Sequence, residues 1–174
     1  MSKIAVVYWS GTGNTEQMAN AVAEGAKEAG AEVSTLTVDQ FSAAKVAEFD
    51  AIAFGCPAMG AETLEEDEFE PMFTGCESAL SGKKIALFGS YGWGDGEWMR
   101  TWEDTCRSDG AVLACESVIC CEAPDDDALA QCKKAWCHAG RLIPGVTGGS
   151  ALGRRSLPEP CAALPDRSTT PEHK

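Results

Sequence analysis

Histidine is almost missing from this chain: two occur in 174 residues, at positions 138 and 173. Imidazole-based proton transfer therefore has few candidates, which argues against an enzyme with its own substrate. Basic residues are scarce too, with 14 Lys and Arg against 27 Asp and Glu and a formal net charge of −13. The imbalance lies wholly in residues 1–138, which hold 9 basic against 24 acidic side chains, whereas 139–174 hold 5 against 3. Such a field repels phosphate backbones and anionic lipid, so neither nucleic acid nor a membrane surface is expected as a partner, and it steers encounters with basic surfaces. No apolar run approaches the ~20 residues a membrane helix needs, which reads as a soluble chain. The Gly-Lys-Ser/Thr ending of a P-loop is absent, which disfavours nucleotide hydrolysis. Cysteine is plentiful, at nine residues, yet no Cys-x-x-Cys occurs, and with that go ferredoxin-type cluster ligation and a thioredoxin-type dithiol. An odd count and no secretory leader after Met1-Ser2-Lys3 point to free thiols in the cytoplasm. Cys115, Cys120 and Cys121 read as small apolar strand residues.

What the chain does have is a repeating alternation of strand and helix signals. Ile4-Ala5-Val6-Val7-Tyr8 is a continuous apolar run, as in a strand covered on both faces of a parallel sheet. A Gly-rich turn follows, then Met18, Val22, Ala26 and Ala29 at helical spacing, closed by Gly30. Further strands are expected at 32–38, 51–55, 84–88 and 111–121, and helices at 42–47, 66–80, 97–108 and about 126–136. Trp98 and Trp102, one helical turn apart, read as core. The whole implies right-handed β-α-β crossovers in a doubly wound, five-stranded parallel sheet, an α/β fold. Ligands in such sheets sit in loops at the carboxyl ends of strands, and three qualify by composition: 9–15, 56–65 and 89–96.

After Trp136 the pattern fails. Residues 139–174 hold five of the eight prolines, five glycines and no Phe, Trp or Tyr, and read as an irregular tail behind a domain of 1–138. The codons of Ala135-Trp136-Cys137-His138 must be GCN-TGG-TGY-CAY, and dropping the first base permits Leu-Gly-Ala, which would prolong the helix. The tail is therefore expected to stem from a frame shift near Lys134.

The loop Ser10-Gly11-Thr12-Gly13-Asn14-Thr15 lies between strand and helix, where amide N–H groups and the helix dipole make an anion site. It offers hydroxyls and an amide but no cation, so a phosphate there is held neutrally, by hydrogen bonds. Glu16 stands where a dinucleotide fingerprint needs its third glycine, which favours a monophosphate. The alternative for this loop alone is a tight turn with a hydroxyl helix cap. The second loop, Cys56-Pro57-Ala58-Met59-Gly60-Ala61-Glu62, offers a soft side chain for a flat ring and a carboxylate for a ring N–H, or else is an ordinary turn. The third, Gly89-Ser90-Tyr91-Gly92-Trp93-Gly94-Asp95-Gly96, sets two aromatics among glycines, and stacking on a planar ring is the economical use for them.

Together these three motifs resemble flavodoxin, and specifically the short-chain flavodoxins of anaerobic bacteria, over about residues 2–138. The resemblance implies the 2-1-3-4-5 strand order, non-covalent FMN, and a low-potential one-electron carrier working as a monomer between redox partner proteins with basic docking surfaces. It implies that 10–15 and Ser90 hold the phosphate, Trp9 covers the phosphate end, Met59 and Trp93 cover the two ring faces, and Glu62 meets the ring N3–H. Pro57, Ala58, Tyr91, Gly92, Gly94, Asp95 and Gly96 complete the cofactor loops. The peptide between Gly60 and Ala61 is expected to turn over so that the Gly60 carbonyl meets N5–H of the semiquinone, which needs positive φ at 61; Ala there departs from the commoner Asp or Gly. Glu62, Glu65, Glu66, Asp95, Glu97 and Asp125 to Asp127 are expected to crowd the flavin edge. A quinone reductase of the same fold, a receiver domain and an activator of one partner enzyme are the competing readings; the first needs substrate room where Trp93 should lie, and the second needs acids where Tyr8-Trp9-Ser10 stands.

Overall fold

Four consecutive apolar residues, Ile4 to Val7, are fully buried and make β1 (Lys3–Tyr8) the spine of the molecule. The computed structural model describes residues 1–139. After β1 the elements run α1 (Asn14–Glu28), β2 (Glu32–Thr37), α2 (Ala43–Val46), β3 (Ala51–Gly55), α3 (Phe69–Cys76), β4 (Lys84–Tyr91), α4 (Glu97–Ser108), β5 (Val112–Leu113), β6 (Val118–Cys121) and α5 (Asp126–Ala139). All strand pairs are parallel, in the order β2-β1-β3-β4, with β5 and β6 both on the far side of β4. The expected 2-1-3-4-5 order holds.

Because side chains alternate along a strand, the two faces bury different sets. Ala5, Val7, Ile52, Phe54, Ile85 and Leu87 pack under α3 and α4 with Phe69, Phe73, Trp98 and Trp102. Ile4, Val6, Ala51, Ala53, Ala86 and Phe88 pack under α1 and α5 with Met18, Val22, Cys132 and Trp136. Trp98 and Trp102 are core, at 2% exposure each.

Several boundaries differ from the sequence reading. The strand expected over 111–121 is two short strands: β5 pairs with Lys84 and Ile85, and β6 with Phe88 to Tyr91. Between them Glu116 is exposed and Ser117 donates its hydroxyl to Glu103 of α4, which takes the chain out of the ladder. β4 extends to Tyr91 through that pairing with β6, so Ser90 and Tyr91 are strand residues and the third loop shortens to 92–96. The helix expected from 66 begins at Phe69, because Glu65 turns back to cap it. α5 runs on to Ala139 and buries Trp136 against the sheet. Residues 140–174, the bulk of the expected tail, lie outside the described residues.

Candidate functional site

The carboxyl ends of β1, β3 and β4 bring the three loops to one end of the sheet. In the first loop, Ser10 Oγ accepts from the amides of Gly13 at 3.0 Å and Glu16 at 3.3 Å. Ser10 thereby caps the Glu16 amide in the first turn of α1, Asn14 lines the cleft at the helix start, and Gly13, the residue before α1, takes φ +90° and brings no side-chain cap of its own. A residue with a Cβ would resist that conformation. Thr15, 1% exposed, and Ser90, 5% exposed, place their hydroxyl oxygens 3.4 Å apart between α1 and β4.

The second loop is a narrow hairpin. Met59 and Thr63 exchange both backbone hydrogen bonds, at 2.8 and 2.9 Å, and the three residues between them turn with positive φ at Gly60 (+49°) and Glu62 (+54°) but not at Ala61. Ala58 N–H donates to the Ser90 carbonyl at 2.9 Å, which ties this loop to the end of β4.

The third loop is clamped by Glu62. Its Oε1 accepts from the amides of Gly96 and Glu97, each at 3.1 Å, so a carboxylate from the second loop caps α4. A Cβ on Gly94 (φ +87°) would fall 2.4 Å from that carboxyl group, so both space and backbone require glycine there. Asp95 pairs with Arg100 at 2.8 Å on the exposed surface. Glu62, Asp95 and Glu97 hold carboxylate oxygens within 4.8 Å of one another, a concentration of negative charge at this edge.

A cleft of about 420 Å³ joins the three loops, lined by Trp9, Gly11, Thr12, Asn14, Pro57, Ala58, Met59, Ser90, Tyr91, Gly92 and Glu122. No Lys or Arg lines it. Met59 (37% exposed) and Trp93 (64%) are large apolar side chains left at the surface of these loops. Of the other candidate residues, Gly13, Thr15, Gly60, Ala61, Glu62, Trp93, Gly94, Asp95 and Gly96 do not line it, Glu62 and Gly96 being held in the clamp beside it, and Ser10 lines a second cavity that it shares with Trp9.

Glu122 was not singled out from sequence. It stands after β6 with φ +58° and its amide donates to the Tyr91 carbonyl at 2.7 Å. A Glu after a strand carries no local signal of that conformation, so only the fold reveals it.

Two of the acids expected at the ring edge are employed elsewhere. Glu65 is 5% exposed, and its carboxylate accepts from the amides of Asp67, Glu68 and Phe69 at 2.8 to 3.0 Å. Burial pushes its pKa up, but those three amides outweigh burial and hold it below the usual carboxylate range. Asp125 caps α5, accepting from the Ala128 amide at 2.8 Å.

Buried hydroxyls and helix-start amides without a cation suit an uncharged grip on one phosphate, and the exposed Met59 and Trp93 suit a flat ring with two faces to cover. Fold and cleft together define a doubly wound α/β protein built to hold a mononucleotide-like ligand at the carboxyl ends of its strands. A family model described as Flavodoxin matches residues 6–136. The chain is 47% identical over 121 residues to a flavodoxin of Clostridium beijerinckii, covering 70% of this chain and 88% of that one. It is 45% identical over 131 residues to a flavodoxin of Megasphaera elsdenii, covering 75% and 93%. The solution structure of that protein in its two-electron reduced state superposes with a TM-score of 0.74, covering 79% of this chain and 98% of the other. The chain belongs to the flavodoxin family. It is an FMN-dependent electron carrier rather than an enzyme with a substrate of its own.

Proposed function

We propose that the 420 Å³ cleft is where FMN sits, with its phosphate at 10–15 and Ser90 and its ring between Met59 and Trp93. The observation that carries this is the convergence of all three loops on one cleft without a cationic lining. When bound, FMN supplies the one-electron redox centre. The amides at the start of α1 and the Thr15 and Ser90 hydroxyls hold the phosphate neutrally. Trp9 covers the phosphate end, and Met59 and Trp93 exclude water from the ring faces. Glu62 takes the ring N3–H on Oε2, the oxygen opposite the one that caps α4. The Gly60 carbonyl is the acceptor for a proton at the ring's N5. Carboxylates of Glu62, Asp95 and Glu97 disfavour further negative charge nearby, which makes the carrier a low-potential one.

The partners we propose are redox proteins with basic docking surfaces, in keeping with 24 acidic against 9 basic residues over 1–138. One copy of the chain supplies all three loops, so the monomer is taken as the working unit. The eight cysteines among the described residues are free thiols, and burial pushes the thiols of Cys56, Cys106 and Cys132 up to about 12, which keeps them protonated and unreactive; the compartment is taken to be the cytoplasm. Residues 139–174 we take as a tail added by a frame shift, a reading that resequencing of the encoding DNA decides.

The phosphate assignment is tested by titrating apoprotein with FMN and with riboflavin, following flavin fluorescence. FMN should bind about a hundredfold more tightly, since several hydrogen bonds of about 1 kcal/mol each depend on the phosphate. Equal affinities would contradict the assignment.

A further inference from the structure

Trp9 is the wall between two cavities. On one side lies the cofactor cleft, and on the other a groove of about 930 Å³ opens at the carboxyl ends of β1 and β2. A side chain with open space on two sides is not fixed by packing alone. Two contacts fix this one. Its ring edge lies over Gly11 of the first loop, where an added Cβ would come within 2.9 Å of it. Its N–H donates to Glu68 Oε2 at 2.9 Å, from a residue distant in the chain. Glu68 is held in turn: it stands just before α3, and its amide donates at 2.9 Å to Oε2 of Glu65, the buried carboxylate that caps that helix.

The groove has apolar surface to receive the indole, from Phe41, Pro71 and Met72, and a change of staggered rotamer is all that a swing away from Gly11 needs. The hydrogen bond to Glu68 is therefore what favours the position over the loop. We propose that Glu68 is a positioning residue for cofactor retention: its carboxylate latches Trp9 over the phosphate end of FMN, and release of the latch lets the indole turn into the groove and opens that end to solvent. Glu68 acts only through Trp9. Its negative charge, taken alone, works against a phosphate nearby, so the hydrogen bond has to be read at constant charge. The proposal rests on the FMN reading, in which Trp9 covers the phosphate end, and adds the residue that keeps the cover in place.

Glu68 is exposed, so its replacement leaves the fold intact. Glu68→Ala and Glu68→Gln lose the same charge, and only Gln keeps an oxygen that accepts from the indole. The measurement is the rate at which each FMN-loaded variant releases its flavin, followed by the rise of flavin fluorescence on dilution. Glu68→Ala should release FMN about fivefold faster than Glu68→Gln, the effect of one neutral hydrogen bond. Riboflavin has no phosphate end to cover, so its release from the two variants should differ by less than about twofold. In a Trp9→Phe background, which has no indole N–H to donate, the gap between the Ala and Gln variants should close. Equal FMN release from the two variants, the same acceleration for riboflavin, or a gap that survives Trp9→Phe would each overturn the proposal. Wild-type protein that binds FMN no more tightly than riboflavin would instead remove the phosphate reading, and the latch with it.

Discussion

At the scale of single residues, Ala61 and Glu65 show how sequence and structure divide the information. The hairpin from Met59 to Thr63 places positive φ on Gly60 and Glu62 and spares Ala61. Turning the 60–61 peptide over requires Ala61 to enter the left-handed region, at about 1 kcal/mol, or about 40 mV for a one-electron couple. Ala61→Gly should therefore raise the yield of one-electron-reduced flavin in a reductive titration, and an unchanged yield would count against the account. Glu65 carries a different prediction. Its folded-state pKa is depressed, so its contribution is present above the ordinary value of about 4.3 and is lost as pH falls through the folded one. Glu65→Gln should cost about 1.5 to 3 kcal/mol at pH 7 in urea unfolding, and the difference from wild type should shrink toward pH 3. The three loops were legible in the sequence because glycine and hydroxyl stretches after buried strands are a local pattern, and the structure brings them to one cleft. Glu65 was not, because its role depends on a chain reversal that brings it to the amides of 67–69.

At the scale of elements, the buried strands were legible because their apolar runs are continuous, and α1 and α4 because their apolar stripes repeat at helical spacing. The break between β5 and β6 was not read: residues 111–121 are apolar or Cys except for Glu116 and Ser117, and it is at this polar pair, where Ser117 donates to Glu103 of α4, that the ladder is interrupted. Packing of α5 on α1 is a second feature that only the fold shows. A Cβ on Gly25 would lie 2.1 Å from the Lys133 carbonyl oxygen, a backbone atom. In an open helix interior Gly→Ala stabilises by about 1 kcal/mol, whereas forcing two packed elements apart costs about 1 to 3 kcal/mol. The close contact decides the sign, so Gly25→Ala should lower stability by about 1 to 2 kcal/mol in urea unfolding. A gain in stability would show that α5 does not pack so closely. The ion pairs of Lys133 with Glu24 and Glu28, at 3.5 and 2.7 Å, are half or more exposed on their acidic side and add little to this contact.

At the scale of the whole molecule, charge and fold serve one purpose. The scarcity of basic residues that opened the sequence reading recurs in the structure as a cleft lined by no Lys or Arg, the feature on which the proposed neutral grip on a phosphate rests. No described helix is long and apolar enough to cross a membrane. The family match ends at residue 136, near where the strand and helix pattern stops in the sequence, and α5 still delivers Trp136 to the core. The central claim, that this chain holds FMN in the three-loop cleft and passes electrons singly, is tested most directly by the visible spectrum of the FMN-loaded protein during stepwise reduction. A blue one-electron-reduced species that accumulates before the colour bleaches is the predicted result. Protein that takes up no FMN, or flavin that bleaches in one two-electron step, would contradict it.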